Sequence, residues 1–359
     1  MQLPEHGANP HHLYERLGMP QPKTVLDFSE NVNPFGMPER VVNEWPTLLS
    51  KMTAYPDPTG EPFLSATARF HQVKKDCVFV GNGAAELLTL LAERYRGKKA
   101  IVVHPTFSEY ESTLRVKDVQ IKRIVLSEEN GFQLPIEAIQ HAMENADVLY
   151  LCTPNNPTGI LPTRDEITEL IRHGKTVGCE IVLDEAFIDF VDEALSFIPE
   201  IKLYANLIVV RSMTKMYAIP GIRLGYVVAH PSVIEQIKKF APHWNVNGIA
   251  ASIGETCLKE KAFVENSVEH SAREREKLVD FLLAHECFVT ESVANFLSFK
   301  LNRNRSTRQL YEYLLKRGIV LRHSENFLGM DGNWLRVGVK SEADMHVLKE
   351  ELAKWFADN

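Results

Sequence analysis

The sequence predicts an α/β fold with a mostly parallel, seven-stranded sheet covered by helices, together with a small α+β domain. Short apolar runs rich in β-branched residues recur along the chain and alternate with amphipathic patterns of helical period, such as residues 164–173. Their continuous apolar character is typical of strands that are buried on both faces. The predicted strands of this sheet begin at residues 78 and 100 and lie near 121–125, 147–152, 180–184, 207–211 and 224–228.

The composition is that of an ordinary globular protein with room for one large domain and a smaller one. The chain has 359 residues, of which 45% are hydrophobic and 24% are charged, so it can bury a sizeable core. Its net charge is −7, and it has no block of Lys or Arg residues. Because such a chain offers no basic surface for a polyanion, we expect neither nucleic acid nor a membrane as a partner.

The cysteines and the N-terminus indicate a reducing compartment. The five cysteines are far apart, without a CxxC pair and without His residues at ligand spacing, so they are predicted to be buried thiols. The first residues have no apolar signal-peptide core, and no run approaches the roughly 18 apolar residues of a membrane span. We therefore expect a cytoplasmic protein without a metal site. The cysteines are Cys77, Cys152, Cys179, Cys257 and Cys287.

Three regions follow from the pattern along the chain. Residues 1–38, rich in His, Pro, Asn and Gly, are predicted to form an irregular arm that packs with the small domain and the active site. Residues 39–247 would form the large domain, and residues 248–359 would hold one or two linking helices and the small domain. The small domain is predicted to have strands at 296–301, 319–322 and 334–339, and helices at 307–316 and after a Ser341–Asp344 capping box.

One stretch, residues 207–228, places polar groups at the end of a buried strand. Its sequence LIVVRSMTKMYAIPGIRLGYVV predicts a strand, a polar turn that contains Lys215, and a second strand. Ligands of open α/β sheets bind at the carboxyl ends of the strands, so Ser212, Thr214 and Arg223 would meet the same ligand. Two hydroxyls and two cations suggest a phosphate. A lone Lys in a turn is more often a solvated surface residue, so this interpretation depends on its neighbours.

Two further strand ends carry polar groups. The strand near 147–152 is followed by CTPNNPTG, which contains Asn156, and the strand near 180–184 ends in DEAF, which contains Asp184. The motifs NNPTG, DEAF and SMTK…GIRLGY agree in type, order and position at strand ends. Together they resemble the fold-type I pyridoxal-phosphate enzymes of the aspartate aminotransferase family. The resemblance covers essentially the whole chain and implies pyridoxal 5′-phosphate as the cofactor.

The resemblance implies a role toward the cofactor for each of these residues. Lys215 would bind it covalently and later transfer protons, Asp184 would pair with the pyridine nitrogen, and Asn156 would donate to the ring oxygen O3′. A Tyr that also contacts O3′ in relatives is replaced by Phe187, so one hydroxyl is missing. Phe107 would stack on the cofactor ring.

The resemblance also implies where the cofactor phosphate binds. From residue 78, a strand, a Gly-x-Gly turn and a helix follow one another, so amides of the first helical turn can meet an anion. By itself this pattern also fits a simple turn. In the family, a Tyr of the neighbouring subunit reaches the phosphate, and Tyr55 matches its position, which implies a homodimer with shared active sites. The implied phosphate ligands are Gly83, Ala84, Ala85, Ser212, Thr214, Arg223 and Tyr55.

Two subfamilies compete, namely threonine-phosphate decarboxylases and histidinol-phosphate aminotransferases. The stretches HGAN at 6–9, LDFSENVNPFGMP at 26–38, LDEAFIDF at 183–190 and RSMTKMYAIPGIRLG at 211–225 resemble the first. That resemblance implies a small phosphorylated amino acid, L-threonine O-3-phosphate, that is decarboxylated for synthesis of the cobalamin side chain. The alternative is transamination of histidinol phosphate with 2-oxoglutarate, and a third reading is a regulator that only binds the cofactor.

The implied substrate ligands fall into two groups. His6, Asn31 and Arg322 would bind the substrate phosphate, while Arg336, in WLRVG, would grip the α-carboxylate, with Asn156 also facing the substrate. From the residues alone, Arg322 could equally form a salt bridge at a strand end, Arg336 could face solvent, and His6 could belong to a disordered terminus.

Overall fold

The computed structural model describes residues 3–4, 6–302 and 304–359. The strands are β1 Leu26–Asp27, β2 Val78–Gly81, β3 Lys99–His104, β4 Gln120–Val125, β5 Val148–Cys152, β6 Glu180–Asp184, β7 Leu207–Ser212, β8 Gly225–Ala229, β9 Phe288–Val289, β10 Phe296–Lys300, β11 Ile319–Val320, β12 Arg322–His323 and β13 Trp334–Gly338. The helices are α1 Pro10–Leu17, α2 Glu39–Leu48, α3 Phe63–Phe70, α4 Gly83–Arg94, α5 Glu109–Arg115, α6 Ile136–Met143, α7 Arg164–Val177, α8 Pro231–Lys238, α9 Gly248–Cys257, α10 Lys261–Ala284, α11 Thr307–Lys316 and α12 Glu342–Asp358.

The large sheet has seven strands in the order β2-β8-β7-β6-β5-β3-β4, which confirms the predicted fold class. Strands β4, β3, β5, β6 and β7 run parallel to one another, so their carboxyl ends lie at one edge of the sheet. Strand β8 is antiparallel to both of its neighbours. Residues 213–224, which connect β7 to β8, form turns and no helix that could carry the chain back across the sheet for a parallel pairing.

Both faces of this sheet are buried, as its continuous apolar strands predict. Alternate residues of β5, β6 and β7 enter two separate apolar clusters, one on each face of the sheet. Helix α7 covers one face and begins with a full capping box, in which Thr163 and Glu166 each bond the other's backbone. The sheet is therefore a fixed platform between two helical layers, and its strand ends are held in place.

The small domain contains an antiparallel sheet, β12-β13-β10-β9, and its own apolar cluster. The linking region forms two helices, α9 and α10. Ser341 caps α12, since its Oγ accepts from Asp344 N at 3.2 Å and donates to Asp344 Oδ2 at 2.7 Å. The boundaries after residues 38 and 247 remain predictions.

The N-terminal arm differs from the irregular segment that its composition predicts. Residues 10–17 form α1, because Pro10 occupies the first turn, where a missing N–H costs nothing, and Gly18 closes the helix in a left-handed conformation. Leu13 and Tyr14 are buried in the small-domain cluster, and the Tyr14 hydroxyl donates to the Leu315 carbonyl at 2.7 Å. With eight residues, α1 is too short to show a clear helical period of apolar residues. The Pro and Gly residues at its two ends are typical of an irregular segment, so the composition does not predict this helix.

Other general features of the chain concern membranes, metals and thiols. Within residues 3–4, 6–302 and 304–359, no helix is long and apolar enough to cross a membrane. In the same residues, no three His, Cys, Asp or Glu side chains are grouped as a metal site. All five cysteines are free thiols, and four are buried, whereas Cys77 is only half-buried.

A buried ion cluster lies behind the strand ends of β6 and β7. Arg211 is 1% exposed and contacts Asp189, Glu193 at 2.6 Å and Glu185 at 3.4 Å. Glu185 also accepts hydrogen bonds from Ser196 Oγ and from the Phe197 amide, each at 2.7 Å. Burial raises the pKa of Glu185 to about 7, while the guanidinium opposes this rise.

We expect Arg211→Met to destabilise the fold strongly, because it leaves the buried Glu185 and Asp189 without a counter-charge. Breaking one partner of a buried pair costs about 3–5 kcal/mol. The control is Arg308→Met, since Arg308 also contacts two carboxylates but is 39% exposed, and surface pairs contribute about 1 kcal/mol or less. Urea unfolding measures both losses, and equal losses in the two variants would contradict the prediction.

Candidate active site

Three adjacent parallel strands bring the predicted catalytic residues together. Asp184 is the last residue of β6, its Cα is paired with Cys152 of β5, and the NNPTG loop with Asn156 follows that cysteine. Lys215 lies three residues beyond the end of β7, and its Nζ donates to Ser212 Oγ at 3.3 Å. The sheet register therefore places an amide, a carboxylate and an amine at one edge.

The amine of Lys215 is half-buried among other cations. The pKa of Lys215 is lowered to about 8 by burial and by the nearby Arg223 and Arg336, whereas Asp184 opposes the shift. A larger fraction of the amine is therefore neutral at neutral pH than for an ordinary lysine, and the neutral form is the one that acts as a nucleophile.

Asp184 is 4% exposed and has a fixed orientation. Its Oδ2 accepts from the Tyr110 hydroxyl at 2.7 Å, and its Oδ1 accepts from the Ala186 amide at 3.0 Å. Burial raises the pKa of Asp184, whereas the hydrogen bond from Tyr110 and the charge of Lys215 lower it. A cationic ring nitrogen placed against this carboxylate would further favour its ionised form.

The start of α4 and Arg223 form a cradle for an anion. The N-cap residue Asn82 makes no side-chain hydrogen bond to the helix end, so its side chain does not occupy the amides of the first turn. Gly83 has φ +79°, and a Cβ placed on it would lie 2.6 Å from Arg223 Nη2. The guanidinium therefore lies directly against the backbone of α4. The hydroxyls of Ser212 and Thr214, 2.9 Å apart, provide further donors, and this donor set fits a phosphate ester.

A cleft of about 290 Å³ opens between the strand ends, the N-terminal arm and the small domain. The predicted residues that line it are His6, Asn31, Phe107, Asn156, Thr214, Lys215, Arg223, Arg322 and Arg336. The structure thus brings together residues from all three regions of the chain, although their roles toward cofactor and substrate remain predictions.

Arg336 and Asn31 present unsatisfied polar atoms to this cleft. Arg336 donates through Nη1 to Asn156 Oδ1 and through Nη2 to the Ser29 carbonyl. Among the described residues, Arg336 Nε and Asn31 Oδ1 are buried without a hydrogen-bond partner. Burial and the nearby Arg322 lower the pKa of Arg336 to about 9. Because buried polar groups are normally paired, the unpaired donor Arg336 Nε suits an anionic ligand, whereas the acceptor Asn31 Oδ1 would need a hydrogen-bond donor.

Arg336 also fixes the orientation of the Asn156 amide. Since Oδ1 of Asn156 accepts from Arg336, its Nδ2 is the atom left to donate into the cleft. A hydrogen-bond donor at this point fits the implied contact with the ring oxygen O3′.

Arg322 and His6 lie at the outer part of the cleft. Arg322 is buried, its Nη2 donates to Asn326 Oδ1 at 2.6 Å, and its guanidinium lies 4.9 Å from the Phe327 ring centroid. His6 is about half exposed, and its Nε2 lies 3.0 Å from Glu109 Oε1. Arg322 lies in the wall of the cleft, and His6 contacts the large domain through Glu109.

Tyr55 is a predicted site residue that lies outside the cleft. It is 83% exposed, and its ring lies 4.8 Å from that of Trp244. Phe187 does line the cleft and packs edge-on against Phe296 at 4.9 Å. Its ring therefore contributes packing at the place where relatives have a hydroxyl.

Two contacts were not predicted, namely those of Glu109 with His6 and of Tyr110 with Asp184. Both residues begin α5, directly after Phe107. The available signal was the position of α5, since a short helix that starts at a strand end must face the same edge of the sheet as the ligand. Sequence spacing could not show which side chain of that first turn points inward.

The fold and the site together define a pyridoxal-phosphate enzyme of fold-type I. Residues 23–352 match the model of the family described as aminotransferase class I and II, so the chain belongs to this family. The predicted cofactor, pyridoxal 5′-phosphate, is confirmed for the family, and the cradle at α4, the buried Asp184 and the half-buried Lys215 fit it.

Among curated proteins, the chain is 35% identical to threonine-phosphate decarboxylase of Salmonella typhimurium, over 94% of this chain and 93% of that protein. It is 32% identical to the bifunctional adenosylcobalamin biosynthesis protein of Leptospira interrogans, over 95% of this chain and 40% of that protein. It is also 31% identical to histidinol-phosphate aminotransferase of Pyrococcus furiosus, over 82% of each.

Solved structures give a similar pair of relatives. The histidinol-phosphate aminotransferase of Clostridium acetobutylicum has a TM-score of 0.88 at 29% identity and covers 93% of this chain and 100% of its own. The L-threonine-O-3-phosphate decarboxylase of Porphyromonas gingivalis has a TM-score of 0.81 at 25% identity, with 92% and 99% covered. Backbone similarity thus does not separate the two activities.

We expect borohydride reduction of the cofactor-loaded protein, followed by peptide mapping, to find the pyridoxyl group on Lys215. Because the pKa of Lys215 is lowered to about 8, incorporation of the cofactor into apoprotein should accelerate as pH rises toward that value and then level off. Lys215→Ala should carry no label, whereas Lys300→Ala, outside the cleft, should be labelled normally. A label on another lysine would contradict the assignment.

Proposed function

We propose that this enzyme decarboxylates L-threonine O-3-phosphate to (R)-1-amino-2-propanol O-2-phosphate and carbon dioxide, for synthesis of the cobalamin side chain. One observation carries the proposal. Arg322 and Arg336 are direct cross-strand partners on β12 and β13, and both line the cleft. The Cα atoms of such partners are about 5 Å apart. Two buried cations this close suit one short substrate that bears two anionic groups.

Threonine phosphate meets this requirement because its carboxylate and its phosphate are separated by only two carbon atoms and one oxygen. The carboxylate would pair with the Arg336 fork, and the phosphate with Arg322, Asn31 and His6. The unpaired Arg336 Nε and the lowered pKa of Arg336 support a bound anion there. Histidinol phosphate has a phosphate but no carboxylate, so it would leave one of the two arginines without its anion.

The residues around the substrate then account for bond breaking at the α-carbon. When bound, pyridoxal phosphate supplies an electron sink for the pair released there. Arg322 and Arg336 would bind the two ends of the substrate, which would restrict its rotation and orient the α-carboxylate for release. The Cα–carboxylate bond breaks, carbon dioxide leaves, and Lys215 delivers a proton to Cα. Asp184 stabilises positive charge on the ring nitrogen.

The alternative is transamination of histidinol phosphate, which the structural similarity to the Clostridium aminotransferase favours. In that case Lys215 would remove the α-hydrogen, and Arg336 would bind the carboxylate of 2-oxoglutarate. A protein that only binds the cofactor is less favoured, because the site provides both an amine with a lowered pKa and two buried arginines beyond the cofactor cradle.

Purified enzyme with threonine phosphate should release carbon dioxide and aminopropanol phosphate. Unphosphorylated threonine should react far more slowly, because binding energy at the phosphate aligns the reacting carbon. Histidinol phosphate with 2-oxoglutarate should give little glutamate. Fast glutamate formation without carbon dioxide would establish the aminotransferase activity instead.

The same assay tests the role of Arg322. Loss of one charge-assisted contact, about 1.5–3 kcal/mol, should lower kcat/KM of Arg322→Ala for threonine phosphate by about ten- to a hundredfold. Arg317→Ala is the control, since Arg317 belongs to the same domain, lies outside the cleft and pairs with Glu351. Equal kinetics in the two variants would remove Arg322 from the site.

We also propose a homodimer with shared active sites. An exposed apolar band follows α2 and the 3-10 turn Leu49–Thr53 at spacings of three or four residues, and it ends at Tyr55 beside Trp244. Contiguous exposed apolar residues mark interaction surfaces, and the partner that would bring Tyr55 to a cofactor phosphate is a second copy. The band consists of Val42, Trp45, Leu49, Met52 and Tyr55.

Sedimentation should therefore show a dimer that Trp45→Glu converts largely to monomer with loss of activity, because a charge is introduced into the apolar contact. Val116→Glu is the matched control, since Val116 is equally apolar and 71% exposed but precedes β4 at the opposite edge of the sheet. It should leave mass and activity unchanged. A fully active wild-type monomer would contradict the shared site.

We place the enzyme in the cytoplasm. The support is that its five cysteines are free thiols, in keeping with a reducing compartment.

A further inference from the structure

We propose that Tyr110 is a positioning residue that aims the Asp184 carboxylate at the cofactor ring. The Tyr110 hydroxyl donates to Asp184 Oδ2 at 2.7 Å, while the Ala186 amide donates to Oδ1 at 3.0 Å. Each oxygen of the carboxylate thus has one protein donor. This inference rests on the cofactor assignment and not on the identity of the substrate.

The two donors act differently because of where they come from. Ala186 belongs to the same strand end as Asp184, so its amide moves with the carboxylate. Tyr110 belongs to α5, which packs beside the sheet, and therefore fixes the carboxylate relative to a second element. The Tyr110 hydroxyl therefore holds Asp184 relative to α5 and to Phe107, on which the cofactor ring would stack.

Tyr110 is also held firmly enough to serve this purpose. It is 1% exposed, and its ring packs against Phe107 at 5.9 Å and against Tyr150 at 5.7 Å. One aromatic cluster thus contains both the residue implied to stack on the cofactor ring and the residue that orients the acid opposite its nitrogen. The stacking plane and the direction of the carboxylate are set together.

The burial of Asp184 explains why such a donor is needed. A buried carboxylate tends to take up a proton, and a protonated Asp184 could not stabilise positive charge on the ring nitrogen. The hydrogen bond from Tyr110 favours the ionised form, as does the charge of Lys215. If Lys215 were joined to the cofactor, its free ammonium charge would be lost, whereas the hydrogen bond from Tyr110 would remain.

The test compares Tyr110→Phe with Tyr150→Phe in the cofactor-loaded protein. Tyr150 is an ideal control because it belongs to the same cluster and is equally buried, but its hydroxyl has no hydrogen-bond partner among the described residues. Two quantities are measured without substrate, namely the dissociation constant of pyridoxal phosphate and the pH midpoint of the absorbance change of the lysine-bound cofactor.

Tyr110→Phe should weaken cofactor binding by about tenfold, as expected for loss of a charge-assisted hydrogen bond. It should also raise the pH midpoint. A ring nitrogen that is less firmly protonated withdraws less electron density from the nitrogen that joins Lys215 to the cofactor, so that nitrogen keeps its proton to higher pH. Tyr150→Phe should leave both quantities unchanged. In Asp184→Asn protein, adding Tyr110→Phe should change the midpoint little further, since the hydroxyl acts through the carboxylate.

Equal effects of the two Phe variants, or an unchanged midpoint in Tyr110→Phe, would overturn the proposal. If Tyr110→Phe fails to fold, Tyr110→His is measured instead, because an imidazole N–H keeps a hydrogen-bond donor at this position. Cofactor binding within about threefold of wild type supports the proposal, and a loss of about tenfold or more counts against it. Since no substrate is used, these outcomes are independent of whether threonine phosphate is decarboxylated.

Discussion

The active site depends on one constraint, namely that parallel strands of a buried sheet end at the same edge. Asn156, Asp184 and Ser212 are far apart in sequence, and the register of β5, β6 and β7 brings the strand ends that carry them side by side. Apolar clusters on both faces fix that register, since a slip by one residue would turn every side chain to the opposite face. The packing of the core therefore sets the positions of the reactive groups at this edge of the sheet.

Electrostatics divides the site into two halves. On the large-domain side, the buried carboxylate of Asp184 lies near Lys215, and Arg223 adds a second cation at the cradle. On the small-domain side, Arg322 and Arg336 are cross-strand neighbours, and Asn156, Ser29 and Asn326 provide acceptors that help to offset their mutual repulsion. The protein thus keeps positive charge in a buried cleft, where an anionic ligand of low molecular weight would relieve it.

Strand ends could be predicted from the sequence because they are local, with a continuous apolar run followed by polar residues. This is why Asp184, Asn156 and Lys215 were identified and why the seven-stranded fold was correct. Contacts made through helices were harder to predict. The roles of Tyr110 and Glu109 depend on how α5 is rotated against the sheet, and α1 was missed because its Pro and Gly residues, which begin and end the helix, resemble a turn.

Helix α10 has a mechanical consequence for the small domain. It has 24 residues, so it is about 36 Å long at 1.5 Å per residue. Asn33 Nδ2 donates to Ser267 Oγ near its start at 2.7 Å, and Arg275 Nη1 donates to the carbonyls of Val293 and Ala294 further along. A tilt of about 5° at the start would displace the far end by about 3 Å, roughly the length of a hydrogen bond. The distance between the two arginines and the strand ends is therefore sensitive to the packing of the first two turns of α10, far from any reacting atom.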